Sequence, residues 1–151
     1  MNFKKTISRL GFAGYLIVLA SASLWPTPVD GSGVIWFITS KILLFCHSIS
    51  WLQWIQYNQL ETLANVALYV PLGAFLVLLL PRVPVWILCI TPLVVSVSAE
   101  GLQRWFLPQR YSTLDDVLHN SLGGFIGVVI SVSIRQLMRL RAKARSASQG
   151  R

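Results

Sequence analysis

The side chains able to do chemistry in this 151-residue chain are Asn65, Tyr69, Glu100, Gln103, Arg110, Asp116 and Asn120, and all lie in or beside apolar runs. An ionisable group in mid-helix costs about 2.5–3.5 kcal/mol on insertion scales, so it needs a partner, a wet cavity or an interfacial position. Ser96, Glu100, Gln103 and Arg104 share one helical face by spacing. Asp116, Asn120, Gly123 and Gly127 form a second stripe, and Thr62, Asn65, Tyr69 and Gly73 a third. Gly123 and Gly127 have the small-xxx-small spacing that lets another helix approach closely, and Gly73 is a further packing candidate. The expectation is one outward-facing polar pocket built from these three stripes with Arg110.

Each residue also has a plainer reading. Glu100 and Arg104 could form an interfacial i, i+4 pair, and Asp115 or Asp116 could simply favour a helix N-terminus. Asn120 is harder to dismiss, because its amide sits inside the apolar run and needs a partner there. Pro71 lacks an N–H, should kink its helix, and leaves the Ala67 carbonyl free.

Glu100 or Asp116 as base, with Arg110 holding a phosphate, would suit an intramembrane hydrolase or transferase acting on a lipid headgroup. No nucleophile motif accompanies them. Ser98 and Ser112 lack a histidine partner, since His119 lies about 100° round the helix from Asn120. The only two histidines, His47 and His119, stand far apart, so no metal site and no cofactor are expected. The pattern favours a binding role over an enzyme.

These stripes need elements to carry them. Apolar residues make up 54% of the chain and charged residues 12%, with a mean hydropathy of +0.62. Soluble domains carry roughly 25% charged residues. The fold class expected is all-α: a polytopic membrane bundle of four transmembrane helices plus an outer interfacial or re-entrant segment. The spans are placed at about residues 10–25, 63–80, 85–107 and 117–137 of a single domain over residues 1–138, followed by a basic cytoplasmic tail over 139–151.

Lys and Arg near span ends favour the cytoplasm. With both termini inside, ten of the thirteen bases fall inside, and only Lys41, Arg104 and Arg110 fall outside. All five acids and the tryptophans at 25, 36, 51, 54 and 105 gather at the outer end. Residues 34–55 are largely apolar too, but a fifth span would put the basic tail outside, so this segment is read as lying in or dipping into the outer interface. The basic start, short apolar run and Ala20-Ser21-Ala22 also resemble a cleavable signal peptide. The net charge of +8 sits at the termini around apolar runs, so no nucleic-acid partner is expected. The partner expected is the bilayer, with an oligomer left open.

Two segments resemble the VanZ-like family of bacterial integral membrane proteins. Asn65-Val66-Ala67-Leu68-Tyr69-Val70-Pro71-Leu72-Gly73 is similar to its Asn-x3-[Phe/Tyr]-x-Pro-x-Gly motif. Glu100 and Gln103, then Arg110, Asp116, Asn120 and Gly123, resemble its Glu-x2-Gln…Arg-x5-Asp-x3-Asn-x2-Gly signature, and Gly127 fits the glycine that follows. The family's Lys-x2-His is not matched: Lys41 is followed by Leu44, with His47 further on, so the resemblance carries no role to either residue.

The resemblance implies a multi-pass protein of the bacterial cytoplasmic (inner) membrane, linked through the family's namesake to low-level resistance to the glycopeptide teicoplanin. It implies no assigned reaction. The function expected is an envelope factor that binds a lipid-linked envelope precursor or a lipid-tailed molecule such as a lipoglycopeptide. The alternatives are a structural or assembly partner using the glycine faces, and the lipid-headgroup enzyme.

Overall fold

The computed structural model describes residues 3–23, 34–106 and 113–149. The described residues form five α-helices: α1 (Phe3–Ser23), α2 (Val34–His47), α3 (Tyr57–Leu79), α4 (Val85–Phe106) and α5 (Leu114–Gln149). A single 3-10 turn at Ser50–Leu52 follows α2. Four helices are long and apolar enough to cross a membrane, within Lys5–Ser23, Tyr57–Leu79, Val85–Phe106 and Leu114–Ala147. At 1.5 Å per residue their lengths of 19, 23, 22 and 34 residues give about 28, 34, 33 and 51 Å, against roughly 30 Å of hydrocarbon. Large apolar side chains in mid-helix face outward, among them Ile17, Val94 and Ile130. Water would not tolerate that surface and lipid does. The chain is an all-α polytopic membrane bundle.

The helices begin and end beyond the apolar runs that announce them. α3 starts at Tyr57 rather than near 63 because Gln56 and Gln59 form a reciprocal capping box at its N-terminus. α1 starts at Phe3 and takes in Lys5 and Arg9, and α5 continues through the basic residues to Gln149. Hydropathy marks where a helix enters hydrocarbon; backbone hydrogen bonding carries it further.

α3 and α5 form the centre of the bundle and run parallel. A Cβ on Gly123 would overlap the Val66 carbonyl oxygen, one on Gly127 the Val70 carbonyl oxygen, and one on Gly73 the Gly124 carbonyl oxygen. Residue numbers rise together along both helices, so the two backbones lie in contact with no side chain between them. α4 returns antiparallel across α5, with the Pro92 ring seated where a Cβ of Gly124 would be. α1 packs antiparallel on α3: Phe75 lies against Gly11, and the Tyr15 hydroxyl donates to the Leu68 carbonyl at 2.8 Å. α3 runs unbroken through Pro71. Leu19, Tyr69, Leu72, Leu76, Val77, Leu88 and Val128 make the buried core.

α2 stands apart from this bundle. Its 14 residues span about 21 Å, short of the hydrocarbon thickness. It folds onto its own continuation, where His47 Nε2 and the Ile55 carbonyl oxygen are 2.9 Å apart and Gln53 Nε2 donates to the His47 carbonyl at 3.4 Å. Lys41 Nζ sits 5.4 Å from the Phe37 ring centroid. Cys46 and Cys89 are both free thiols.

Candidate functional site

One face of α4 carries the buried polar groups. Leu88, Pro92, Ser96, Glu100 and Gln103 follow at intervals of four, four, four and three, and all are buried. The face is apolar at its start and polar at its end. Serine and threonine elsewhere in the spans need no such burial, because they donate to the carbonyl one turn back: Thr91 to Ile87 at 2.8 Å, Ser98 to Val94 at 2.7 Å and Ser121 to Val117 at 2.6 Å. Ser96 instead reaches across to α5, donating to the Val117 carbonyl at 3.4 Å. Gln103 Nε2 donates to the Ser23 carbonyl, the last residue of α1, at 2.5 Å. α4 thus meets both the last residue of α1 and the first turns of α5, through side chains two turns apart.

The first turn of α5 is built by a reciprocal cap. The Asp116 N–H donates to Thr113 Oγ1 at 3.1 Å, while the Thr113 N–H and hydroxyl donate to Asp116 Oδ2 at 3.3 and 2.7 Å. The other carboxylate oxygen of Asp116 accepts from Asn65 Nδ2 of α3 at 3.2 Å. Asp116 therefore caps its own helix and joins it to α3. Both roles follow from a carboxylate at the third helical position, where it faces the neighbour as well as the open N–H groups.

One turn further in lie Tyr69 and Asn120. Tyr69 is only 1% exposed and Asn120 6%. The Tyr69 hydroxyl lies toward Ser23, Ser96 and Glu100, with no hydrogen bond of good geometry. Asn120 Oδ1 is also buried and has no hydrogen-bond partner among the described residues. A buried polar atom left unsatisfied costs about 1–3 kcal/mol. Glu100 itself is 7% exposed and lines a recess of about 230 Å3 with Arg104, Thr113 and Val117. Arg104, on the same helix face by spacing, is exposed at the rim of that recess.

The structure therefore gathers Tyr69, Glu100, Gln103 and Asn120 as buried groups at one end of the bundle, with half-buried Asn65 and Asp116 beside them. Arg110 lies outside the described residues. Gly73, Gly123 and Gly127 sit at backbone contacts between α3 and α5, next to the polar cluster. Sequence reasoning passed over Ser23, Tyr15, Pro92 and Gly124. The first two act through a carbonyl or a single long-range bond that no spacing shows. Pro92 and Gly124 had a signal: Pro92 continues the Leu88–Ser96 stripe, and Gly124 adjoins Gly123. Among the described residues no group of three or more metal-ligating side chains comes together.

Such a cluster offers acceptors and hydroxyls, with carboxylates at two depths and, among the described residues, no serine or cysteine hydrogen-bonded to a histidine. A family model described as VanZ/LLP1 matches residues 12–136 of the chain. No curated protein and no solved structure gives a significant match.

Proposed function

The chain belongs to the VanZ-like family of membrane proteins, and from that premise we propose that it is an envelope factor of the bacterial cytoplasmic membrane. Its polar end faces outward and binds the head group of a lipid-linked or lipid-tailed molecule. The observation that carries this reading is buried Asn120 Oδ1, which has no hydrogen-bond partner among the described residues, beside buried Tyr69 and Glu100. A head group rich in hydroxyl or amide N–H donors supplies the hydrogen bond that Asn120 Oδ1 accepts and competes for the Tyr69 hydroxyl. Its lipid tail stays in the bilayer against the apolar helices. Capture of a lipid-tailed glycopeptide at this site gives low-level teicoplanin tolerance without chemistry.

Tyr69→Phe and Glu100→Gln test this. Tyr69→Phe deletes a hydroxyl without a good partner, and Glu100→Gln removes a buried charge, so both variants accumulate at the wild-type level. Both lower teicoplanin tolerance in a sensitive host. Purified wild-type protein binds teicoplanin more tightly than the deacylated glycopeptide core, and both variants weaken that binding. If both accumulate normally and keep full tolerance and binding, the cluster serves packing alone.

A further inference from the structure

The opposite end of the bundle carries a second feature, independent of the polar cluster. Beyond Gly127 the facing stripe of α5 turns from glycine to Ser131, Ile134, Arg135 and Met138, while α3 offers Ala74, Val77 and Leu78. Larger side chains replace backbone contact, and a groove of about 590 Å3 opens between the two helices. Its walls are apolar, chiefly Leu78, Pro81, Ile134 and Met138, and Arg135 and Arg139 complete them. The Nε and Nη1 atoms of Arg135 are buried and find no hydrogen-bond partner among the described residues.

Depth and charge identify what belongs there. Arg135 lies 19 residues past Asp116, about 28 Å along the helix. That is close to the full hydrocarbon thickness, so Arg135 stands where lipid phosphates lie. The sequence holds no acid after Asp116, yet Arg135, Arg139, Arg141, Lys143 and Arg145 all follow. Nothing on this stretch of α5 can neutralise the guanidinium. The positive charge of Arg135 and of exposed Arg139 on the groove wall matches a phosphate diester, and the apolar walls match an acyl chain.

We infer that the groove between α3 and α5 is a binding site for one anionic phospholipid. Its phosphate is held by Arg135 and Arg139, and an acyl chain lies along Ala74, Leu78 and Ile134.

The test compares wild type, Arg135→Gln, Arg139→Gln and Lys143→Gln, each purified in detergent and given an equimolar mixture of phosphatidylglycerol and phosphatidylcholine. Native mass spectrometry counts the lipid retained. Wild type retains phosphatidylglycerol preferentially. Arg135→Gln reduces the preference about fivefold, Arg139→Gln reduces it by a smaller factor, and Lys143→Gln, which removes the same charge outside the groove, leaves it unchanged. Arg139 is exposed, so its variant carries the test even if Arg135→Gln accumulates poorly. Three results overturn the site. One is equal loss in Lys143→Gln, which assigns the effect to diffuse charge. Another is wild type holding glycerol phosphate, which has no chain, as well as the lipid. The third is disulfide cross-linking of Ile134→Cys between two chains in lipid-replete membranes, which gives the groove to a second copy.

Discussion

Gly127→Ala adds one methyl group where α3 and α5 touch backbone to backbone. The new Cβ would overlap the Val70 carbonyl oxygen, and it would sit 3.0 Å from the Val70 carbonyl carbon and 3.1 Å from the Ala74 nitrogen. All three are backbone atoms of a regular helix, so no rotamer change relieves the contact. Ordinary carbon–oxygen spacing is about 3.3–3.6 Å, and the helices must part by on the order of 1 Å to reach it. Overpacking of this kind costs about 1–3 kcal/mol. On soluble-protein scaling for this chain length, that lowers Tm by roughly 2–12 °C. The control is Gly14→Ala on α1, where the added Cβ meets nothing within 4 Å. There alanine removes the helix-interior penalty of glycine, about 0.5–1 kcal/mol, and Tm holds or rises. Thermal unfolding followed by fluorescence-detected size exclusion in one detergent measures both. Equal Tm values for the two variants would refute the backbone contact between α3 and α5.

Two further outcomes are expected, the first from the distribution of basic residues and the second from the structure. In a variant without Cys46 and Cys89, Asp115→Cys is labelled from outside intact cells, and Ser146→Cys only after lysis; outside labelling of residue 146 would reverse the orientation. Thr113→Val removes the hydroxyl that caps α5 and costs about 1 kcal/mol, read as a lower Tm, while Ser121→Ala, whose hydroxyl only bonds back to Val117, leaves Tm nearly unchanged.

The four spans were legible because lipid demands long apolar runs, and nothing else in a chain of this size does. The stripes were legible because helical periodicity puts Ser96, Glu100 and Gln103 on one face and Asn120, Gly123 and Gly127 on another. Periodicity cannot say which stripe meets which. That Asn65 bonds Asp116 depends on α3 and α5 being parallel neighbours, and that Gln103 reaches Ser23 across 80 positions depends on the end of α4 meeting the end of α1. Helix starts lie outside the apolar spans for a related reason: the Gln56–Gln59 capping box is polar and lies outside the apolar run. Asp116 was read either as a dipole-favoured acid or as a pocket residue, and geometry makes it the link between those two readings.

The parallel pairing of α3 and α5 explains why the two ends of the bundle differ. Glycine at 73, 123 and 127 locks the helices together over about two turns. Locking at one level fixes the relative rotation of both helices along their whole length, because a helix turns as a rigid rod. On the Asn65 side the rotation points Tyr69 and Asn120 inward with Glu100 of α4, so polar groups gather in the interior there. Toward Arg135 the same rotation aims larger side chains at each other, and the helices cannot close. A tight waist therefore creates a buried polar cluster on one side and an open groove on the other. Widening the waist, as Gly127→Ala does, disturbs both ends at once. Glu100→Gln and Arg135→Gln should each disturb one end only.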